Sequence, residues 1–333
     1  MKPSEFEIPV GILFFNRPWT LEKVFETVRD LKPTKLYLYQ DGAREGNADD
    51  IENIRLCRRI VENVDWECEI HTYFQEINVG VDPSEFIAIK WVFEKEEMAI
   101  FLEDDDVPSQ SFYHYCKELL YKYRNDQRFN IICGLNQMGT YSNNGDEDYV
   151  FTSSGSITGW ASWKHVIDSW DEHYSVLDDQ DALKNIEYKL GKKLFKDWLA
   201  NVKAHKSSGK AHYESIMSVA TLLNNRMNIA PKLNLISNIG IGANASHGTN
   251  NLKTLPKGIK KIFFQTPHEI SFPLKHPKHI IEERGYTDAV HRIMGNGYPM
   301  VRFYRLFEGI ILRIKYGESA SIIKGVKRRM KLY

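Results

Sequence analysis

The first 135 residues alternate short apolar runs with segments whose apolar residues recur at helical spacing, and few folds are compatible with that order. The runs Ile8–Phe15, Lys35–Gln40, Glu69–Phe74, Met98–Leu102 and Asn130–Cys133 read as strands. Several lack polar alternation, as strands buried on both faces do. Leu21, Val24, Phe25, Val28 and Leu31 mark one intervening helix. Ile51, Ile54 and Val61 mark a second, and Phe86, Ile89, Val92 and Phe93 a third. Pro18 suits the first turn of the first helix. Strands alternating with helices imply an α/β fold, a mostly parallel sheet flanked by helices.

From Asn136 to about Val150 the chain is polar and reads as a connection or inserted hairpin. Trp160, Trp163, Trp170 and Trp198 then fall in a region of helical patterns that ends in a strand-like stretch, Asn228–Ile236. Gly240–Asn251 follows, a loop of Gly, Asn, Ser and Thr whose composition predicts a lid that orders when a ligand binds. A chain of 333 residues with 42% hydrophobic residues can bury a large core, which excludes disorder as the main state. Its 44 basic and 44 acidic residues cancel, which argues against nucleic acid as a partner. Cys57, Cys68, Cys116 and Cys133 have no paired spacing, and no apolar segment follows the polar start. These features predict a cytoplasmic protein with reduced thiols in its core.

The sharpest local feature is Met98-Ala99-Ile100-Phe101-Leu102 followed directly by Glu103-Asp104-Asp105-Asp106. In open α/β sheets ligands bind beyond the carboxyl ends of strands, and adjacent carboxylates stay ionised only where a cation or hydrogen bonds hold them. A divalent metal bridging to a diphosphate meets that need. Asp106 or Ser109 is expected to cap a helix through Tyr123, with Pro108 in its first turn. Arg17 closes the first strand and Asp41 the second, so a parallel sheet would bring both to the rim that carries Glu103–Asp105. No GxGxxG follows a strand and no GxxxxGK[ST] occurs, so dinucleotide and P-loop readings lose their usual support.

Pro9–Pro18, Gln40-Asp41-Gly42, Phe101–Asp105, Gly159-Trp160-Ala161-Ser162-Trp163, Pro231–Gly242 and Ser246-His247-Gly248 occur in an order that resembles the GT-A glycosyltransferases. The nearest resemblance is to the N-acetylglucosaminyltransferase I-like group and its bacterial relatives, over about residues 8 to 250. It implies that Asp105, the last acid of the DXD-type motif, meets manganese or magnesium, that Asp104 faces the ribose and Glu103 the transferred sugar. It further implies that Asp41 reads uracil, that Arg17 lies beside the nucleotide, that His247 contacts the donor phosphates and that Glu214 is the catalytic base. Two departures stand out: Glu214 replaces an Asp, and Val81-Asp82-Pro83 follows Asn78-Val79-Gly80 where relatives often carry a basic residue. Trp160 is read either as core or as an aromatic platform for a sugar ring.

The resulting expectation is a GT-A catalytic domain over residues 1–250, with a nucleotide-sugar and metal half (1–135) and an acceptor and base half (136–250), followed by an extension over 251–333. Its activity would be metal-dependent, inverting transfer of a hexosyl or N-acetylhexosaminyl group from a UDP-sugar donor to a hydroxyl of a bacterial-type surface glycan, free or lipid-linked. A sugar nucleotidyltransferase and an inactive glycan-binding protein of the same fold are the alternatives. Residues 301–333 carry nine Lys or Arg against two Glu. Phe303, Leu306, Phe307, Ile310 and Ile311 lie among them at helical spacing. Since each basic residue near an anionic surface contributes about 1 kcal/mol, this segment predicts a peripheral helix on the inner face of the cell membrane.

Overall fold

A computed structural model describes residues 6–241 and 251–318. Its centre is an eight-stranded sheet in the order β3-β2-β1-β4-β8-β6-β9-β7. The strands are β1 (Val10–Phe14), β2 (Lys35–Gln40), β3 (Glu69–Phe74), β4 (Met98–Glu103), β6 (Phe129–Cys133), β7 (Tyr149–Thr152), β8 (Trp160–Trp163) and β9 (Met227–Pro231). A separate pair, β5 (Asp106–Pro108) and β10 (Ile236–Asn238), runs antiparallel. Only β7 and β8 oppose the other strands of the main sheet. The molecule is therefore a Rossmann-like mixed α/β fold, with a mostly parallel sheet flanked by helices.

Strand β8 is the largest departure from the sequence reading. Trp160 and Trp163 belong to a central antiparallel strand between β4 and β6, where Phe101 pairs with Trp160 and Met98 with Trp163, and not to a helical region. Four residues are too few to show a period, so only pairing with two neighbours makes this segment a strand. Strand β3 departs in the other sense. It is an edge strand with Ile70 and Tyr73 exposed, since among the described residues nothing pairs beyond it.

The helices that frame the strand ends are α1 (Pro18–Leu31), α2 (Ala48–Val61), α3 (Val81–Phe93), α4 (Gln110–Tyr123), α5 (Lys164–Ile167), α6 (Gln180–Ser208, broken at Gly191) and α7 (Tyr213–Leu223). Leu21, Val24, Phe25 and Val28 of α1 are buried, as their spacing requires, whereas Ile51 of α2 is exposed. Helix α1 packs against α2 and α4, and α3 against α5 and α7.

The start of α4 corrects the expected cap. Asp106 lies in β5, fully buried and paired with Asn238, and Pro108 is a strand residue. Ser109 holds the cap position without a side-chain bond. The orphan amides of Gln110 and Ser111 instead donate to the Glu269 carboxylate at 3.1 and 2.8 Å. A cap supplied from far along the chain leaves no local signature.

The described residues after 251 comprise α8 (Lys257–Lys260), α9 (Arg284–Met294) and α10 (Pro299–Lys315). Tyr286 and Val290 of α9 bury themselves against Val150 and Ala230. Cys57, Cys116 and Cys133 are buried, and burial raises all three thiols, Cys57 and Cys133 to about 12, so they remain protonated packing groups.

Candidate active site

Register places the three strand ends side by side. Phe14 of β1 pairs with Gln40 of β2, and Leu13 pairs with Glu103 of β4. Arg17, Asp41 and the Glu103–Asp105 run therefore emerge on one rim, as a parallel order requires. Pro18 starts α1 immediately after Arg17, which turns the chain at the rim and aims the guanidinium at the acids beyond β4. Nη1 of Arg17 donates to Asp105 Oδ2 at 2.8 Å, and Nη2 bonds Asp104 Oδ1. Burial by itself disfavours the guanidinium charge, but Asp104 and Asp105 outweigh it and hold Arg17 firmly charged.

Asp105 also accepts from Asn238 Nδ2 at 3.2 Å, which ties the acid run to β10. Gly240 follows, and a Cβ there would lie 1.7 Å from Asp105 Oδ2, so only glycine lets this backbone cross the carboxylate. His247 and residues 242–250 of the expected lid lie outside the described residues.

Asp41 is buried and fully engaged. Oδ1 accepts from the amides of Gly42 and Val79, each at 2.9 Å, while Oδ2 accepts from Asn78 Nδ2 at 2.8 Å and the Gly80 amide at 3.0 Å. Four bonds take the four acceptor directions of a carboxylate. A uracil N3–H would have to displace one of them. The Asp41–Gly42 turn is pressed on Ile77, whose carbonyl carbon would lie 2.4 Å from a Cβ on Gly42. Asp41 thus fixes the segment that leads into α3.

The start of α3 is itself held by α6 and α7. His212 Nδ1 lies 2.9 Å from Asp82 Oδ1, and the rings of His205 and His212 stack at 3.9 Å. Lys210 Nζ stands 3.9 Å from where a Cβ on Gly80 would be, so a positive charge from the α6–α7 turn occupies the neighbourhood that Val81-Asp82-Pro83 leaves without one. Ser215 Oγ lies 2.6 Å from Tyr174 Oη and 2.8 Å from His205 Nδ1, fixing the first turn of α7.

That turn carries Glu214. Helix α7 begins at Tyr213 and buries Ile216, Val219 and Ala220, while Glu214 is exposed and Leu223 is half exposed. Glu214 falls within electrostatic reach of Glu85 on α3 and of the Tyr213 phenol. Glu85 escaped the sequence reading because its neighbours come from other elements. Its one local signal is a position a turn before Ile89, on the core side of α3.

Burial first, and then Glu214 and the neighbouring aspartates, raise the Glu85 carboxyl well above the ordinary range; burial and Glu85 do the same for Glu103. Asp106 is pushed up to about 8 by burial and Asp105, against the amides of Gly159 and Glu103 that favour its charge. Glu103, Ile89, Phe101, Trp160 and Tyr213 share a cavity of about 10 Å³, room for one water. Trp160, 3% exposed, stacks on Phe101 and Tyr213, which makes it a wall of the site and not an exposed platform.

Asp50 is a second residue that local pattern concealed. Fully buried at the start of α2, it accepts from Arg44 Nε and Nη2 and from Asn16 Nδ2, each at 2.6 Å, and so braces the rim beside Arg17. Among the described residues no three His, Cys, Asp or Glu side chains converge as a metal cage. The oxygens of Asp105 nevertheless suit manganese or magnesium, which proteins commonly hold through one or two carboxylates together with substrate phosphates.

No family model and no curated protein matches the chain. Among solved structures, it is similar to a 4-diphosphocytidyl-2C-methyl-D-erythritol synthase from Anaerococcus prevotii, with 11% identity and a TM-score of 0.30 over 48% of this chain and 73% of that one. HddC from Yersinia pseudotuberculosis matches with 13% identity and a TM-score of 0.30, over 48% of this chain and 79% of that one. A UDP-glucose pyrophosphorylase complexed with UDP-glucose matches with 8% identity and a TM-score of 0.28, over 49% and 78%. At such values the function rests on the geometry of the site itself.

Proposed function

We propose that this chain is a metal-dependent glycosyltransferase that takes a sugar from a UDP-linked donor and delivers it, with inversion, to a hydroxyl of a glycan acceptor. The observation that carries the reading is the convergence of two distant segments. Arg17 and Glu103–Asp105 share the carboxyl rim of the sheet, and α7 lies against α3 so that Glu214 comes within electrostatic reach of Glu85, which in turn interacts with Glu103 and Asp105. The motifs that resemble the N-acetylglucosaminyltransferase I-like group fall on these positions.

Asp105 would hold the metal, which when bound supplies Lewis-acid stabilisation of the leaving diphosphate. Arg17 and Lys210 add positive charge at the two sides of the donor, and Glu103 accepts from sugar hydroxyls. Glu214 takes the proton from the acceptor hydroxyl as that oxygen attacks the anomeric carbon, opposite the departing diphosphate. Asp41 acts by fixing the Asn78–Gly80 segment, which gives the uracil its contact surface.

Nucleotidyl transfer is the second reading. It uses the same rim and acids with attack at phosphorus, and a pyrophosphorylase is among the solved structures named above. Product identity separates the two. Incubation with a panel of UDP-sugars, manganese and glycan acceptors is expected to release UDP; pyrophosphate formed from UTP and a sugar 1-phosphate would establish the second reading instead.

A further inference from the structure

Helix α10 buries none of its side chains. Its apolar residues are nonetheless ordered. Met300, Phe303, Tyr304, Phe307, Ile311 and Ile314 recur at three- and four-residue steps, which sets them on one face of a helix, and all six are exposed. Phe303 is 52%, Phe307 50% and Ile311 62% exposed. The opposite side of the helix rests on the molecule: Gly309 lies against Pro256, and Glu308 accepts from the Lys257 amide at 3.0 Å. The solvent-facing stripe is therefore the more apolar side, the reverse of an ordinary surface helix.

Basic residues lie beside this helix. The segment that supports α10 carries Lys253, Lys257, Lys260 and Lys261, and Lys253 Nζ is 6.0 Å from the Tyr316 ring. Arg313 and Lys315 lie on the last turn of α10 itself. Two acids, Glu308 and Glu318, stand among them, and Asp197 pairs with Arg302, so the basic residues remain in excess. An exposed apolar stripe on a helix with an excess of basic residues beside it complements a surface that is apolar within and anionic at its face, which is a bilayer with anionic headgroups.

We infer that α10, with the lysines of residues 253–261, docks this protein on an anionic membrane, with the Met300–Ile314 stripe entering the headgroup boundary. The inference is independent of the transfer reaction. It places the rest of the molecule beside substrates carried on lipid.

The test is sedimentation of the full chain with vesicles of phosphatidylglycerol and phosphatidylcholine in equal parts, and with phosphatidylcholine alone. Two variants accompany it: Phe307→Glu with Ile311→Glu, and Lys260→Glu with Lys261→Glu. All of these positions lie outside the described core, and circular dichroism and the thermal midpoint of each variant check the fold. Wild type is expected to bind the anionic vesicles, and each variant to bind them about tenfold more weakly, with added salt releasing the protein. Equal binding to both vesicle types, or variants that bind like wild type, would overturn the proposal. So would a dimer without lipid that Phe307→Glu with Ile311→Glu converts to monomer, since a second copy would then cover the stripe.

Discussion

Arg17 Nη1 lies 2.8 Å from Asp105 Oδ2, and the two come from the ends of adjacent parallel strands rather than from neighbouring sequence. This ion pair sets the state in which the rim meets its ligand. Without the guanidinium, Asp104 and Asp105 would add two negative charges beside Glu103 and Asp106, and like charges repel. A metal and a diphosphate arriving together bring a cation for the acids and an anion for Arg17, so the pair can open as both partners are replaced.

Asp105→Asn is expected to abolish the manganese dependence of UDP binding while leaving the thermal midpoint within a few degrees of wild type. Calorimetric titration of UDP with manganese and with chelator checks this. Equal affinity in wild type and variant under both conditions would remove Asp105 from the metal site.

Asp41→Ala should cost stability as well as specificity. It leaves the half-buried amides of Val79 and Gly80 without their acceptor, a penalty of up to about 1–3 kcal/mol for each group stranded. Chemical denaturation measures the loss, and the ratio of UDP to CDP affinity measures nucleotide choice. A variant as stable as wild type would show that the four bonds to Asp41 do not hold the segment.

Gly240→Ala is expected to weaken donor binding through sterics alone, because its methyl would overlap Asp105 Oδ2 and crowd Arg17 Nη1. The effect should exceed tenfold in UDP affinity, about 1.4 kcal/mol or more. A variant with unchanged affinity would mean that the backbone moves off the carboxylate.

Glu214→Gln should bind UDP and manganese normally yet transfer sugar about 10² to 10⁴ times more slowly, the usual cost of losing a general base. The wild-type product should have the inverted anomeric configuration, read by NMR. Retained configuration, or undiminished turnover of the variant, would dismiss Glu214 as the base.

Glu85→Gln should stabilise the protein at high pH only. Burial, and then Glu214, raise the carboxyl of Glu85 in the folded state above its unfolded value of about 4.3, so the folded state binds this proton more tightly. That contribution is fully present below the unfolded value and is lost as pH rises through the folded one. The variant cannot ionise and escapes the loss. Its thermal midpoint is expected to match wild type near pH 4 and to exceed it at pH 8, by roughly 2–4 °C if about 1 kcal/mol is recovered. A constant difference across that range would show that Glu85 titrates as an exposed glutamate.

Features with a local physical cause could be read directly from the sequence. The bounds of β2 and β3 coincide with their apolar runs, and α1 starts at Pro18 because a fixed φ and a missing amide suit a first helical turn. The Glu103–Asp106 run announced itself as a charge cluster behind a buried strand. Parallel order alone was sufficient to place Arg17, Asp41 and those acids on one rim.

Tertiary packing decided what depends on partners distant in sequence. Asp41 looked free to read a base, but folding brings the amides of Val79 and Gly80 to it. Glu85 becomes part of the acid site only because α3 packs on β4, which brings Glu103 to it, and on α7, which brings Glu214, and Asp106 changes from a cap into a buried strand residue because β10 pairs with β5. Helix α10 shows the same division: its spacing gives the apolar stripe, but only its seating on residues 252–261 decides which face is left to the solvent and which lysines gather beside it. Periodicity is a property of one segment, whereas burial, acceptor saturation and charge clustering belong to pairs of segments and exist only once the chain has closed on itself.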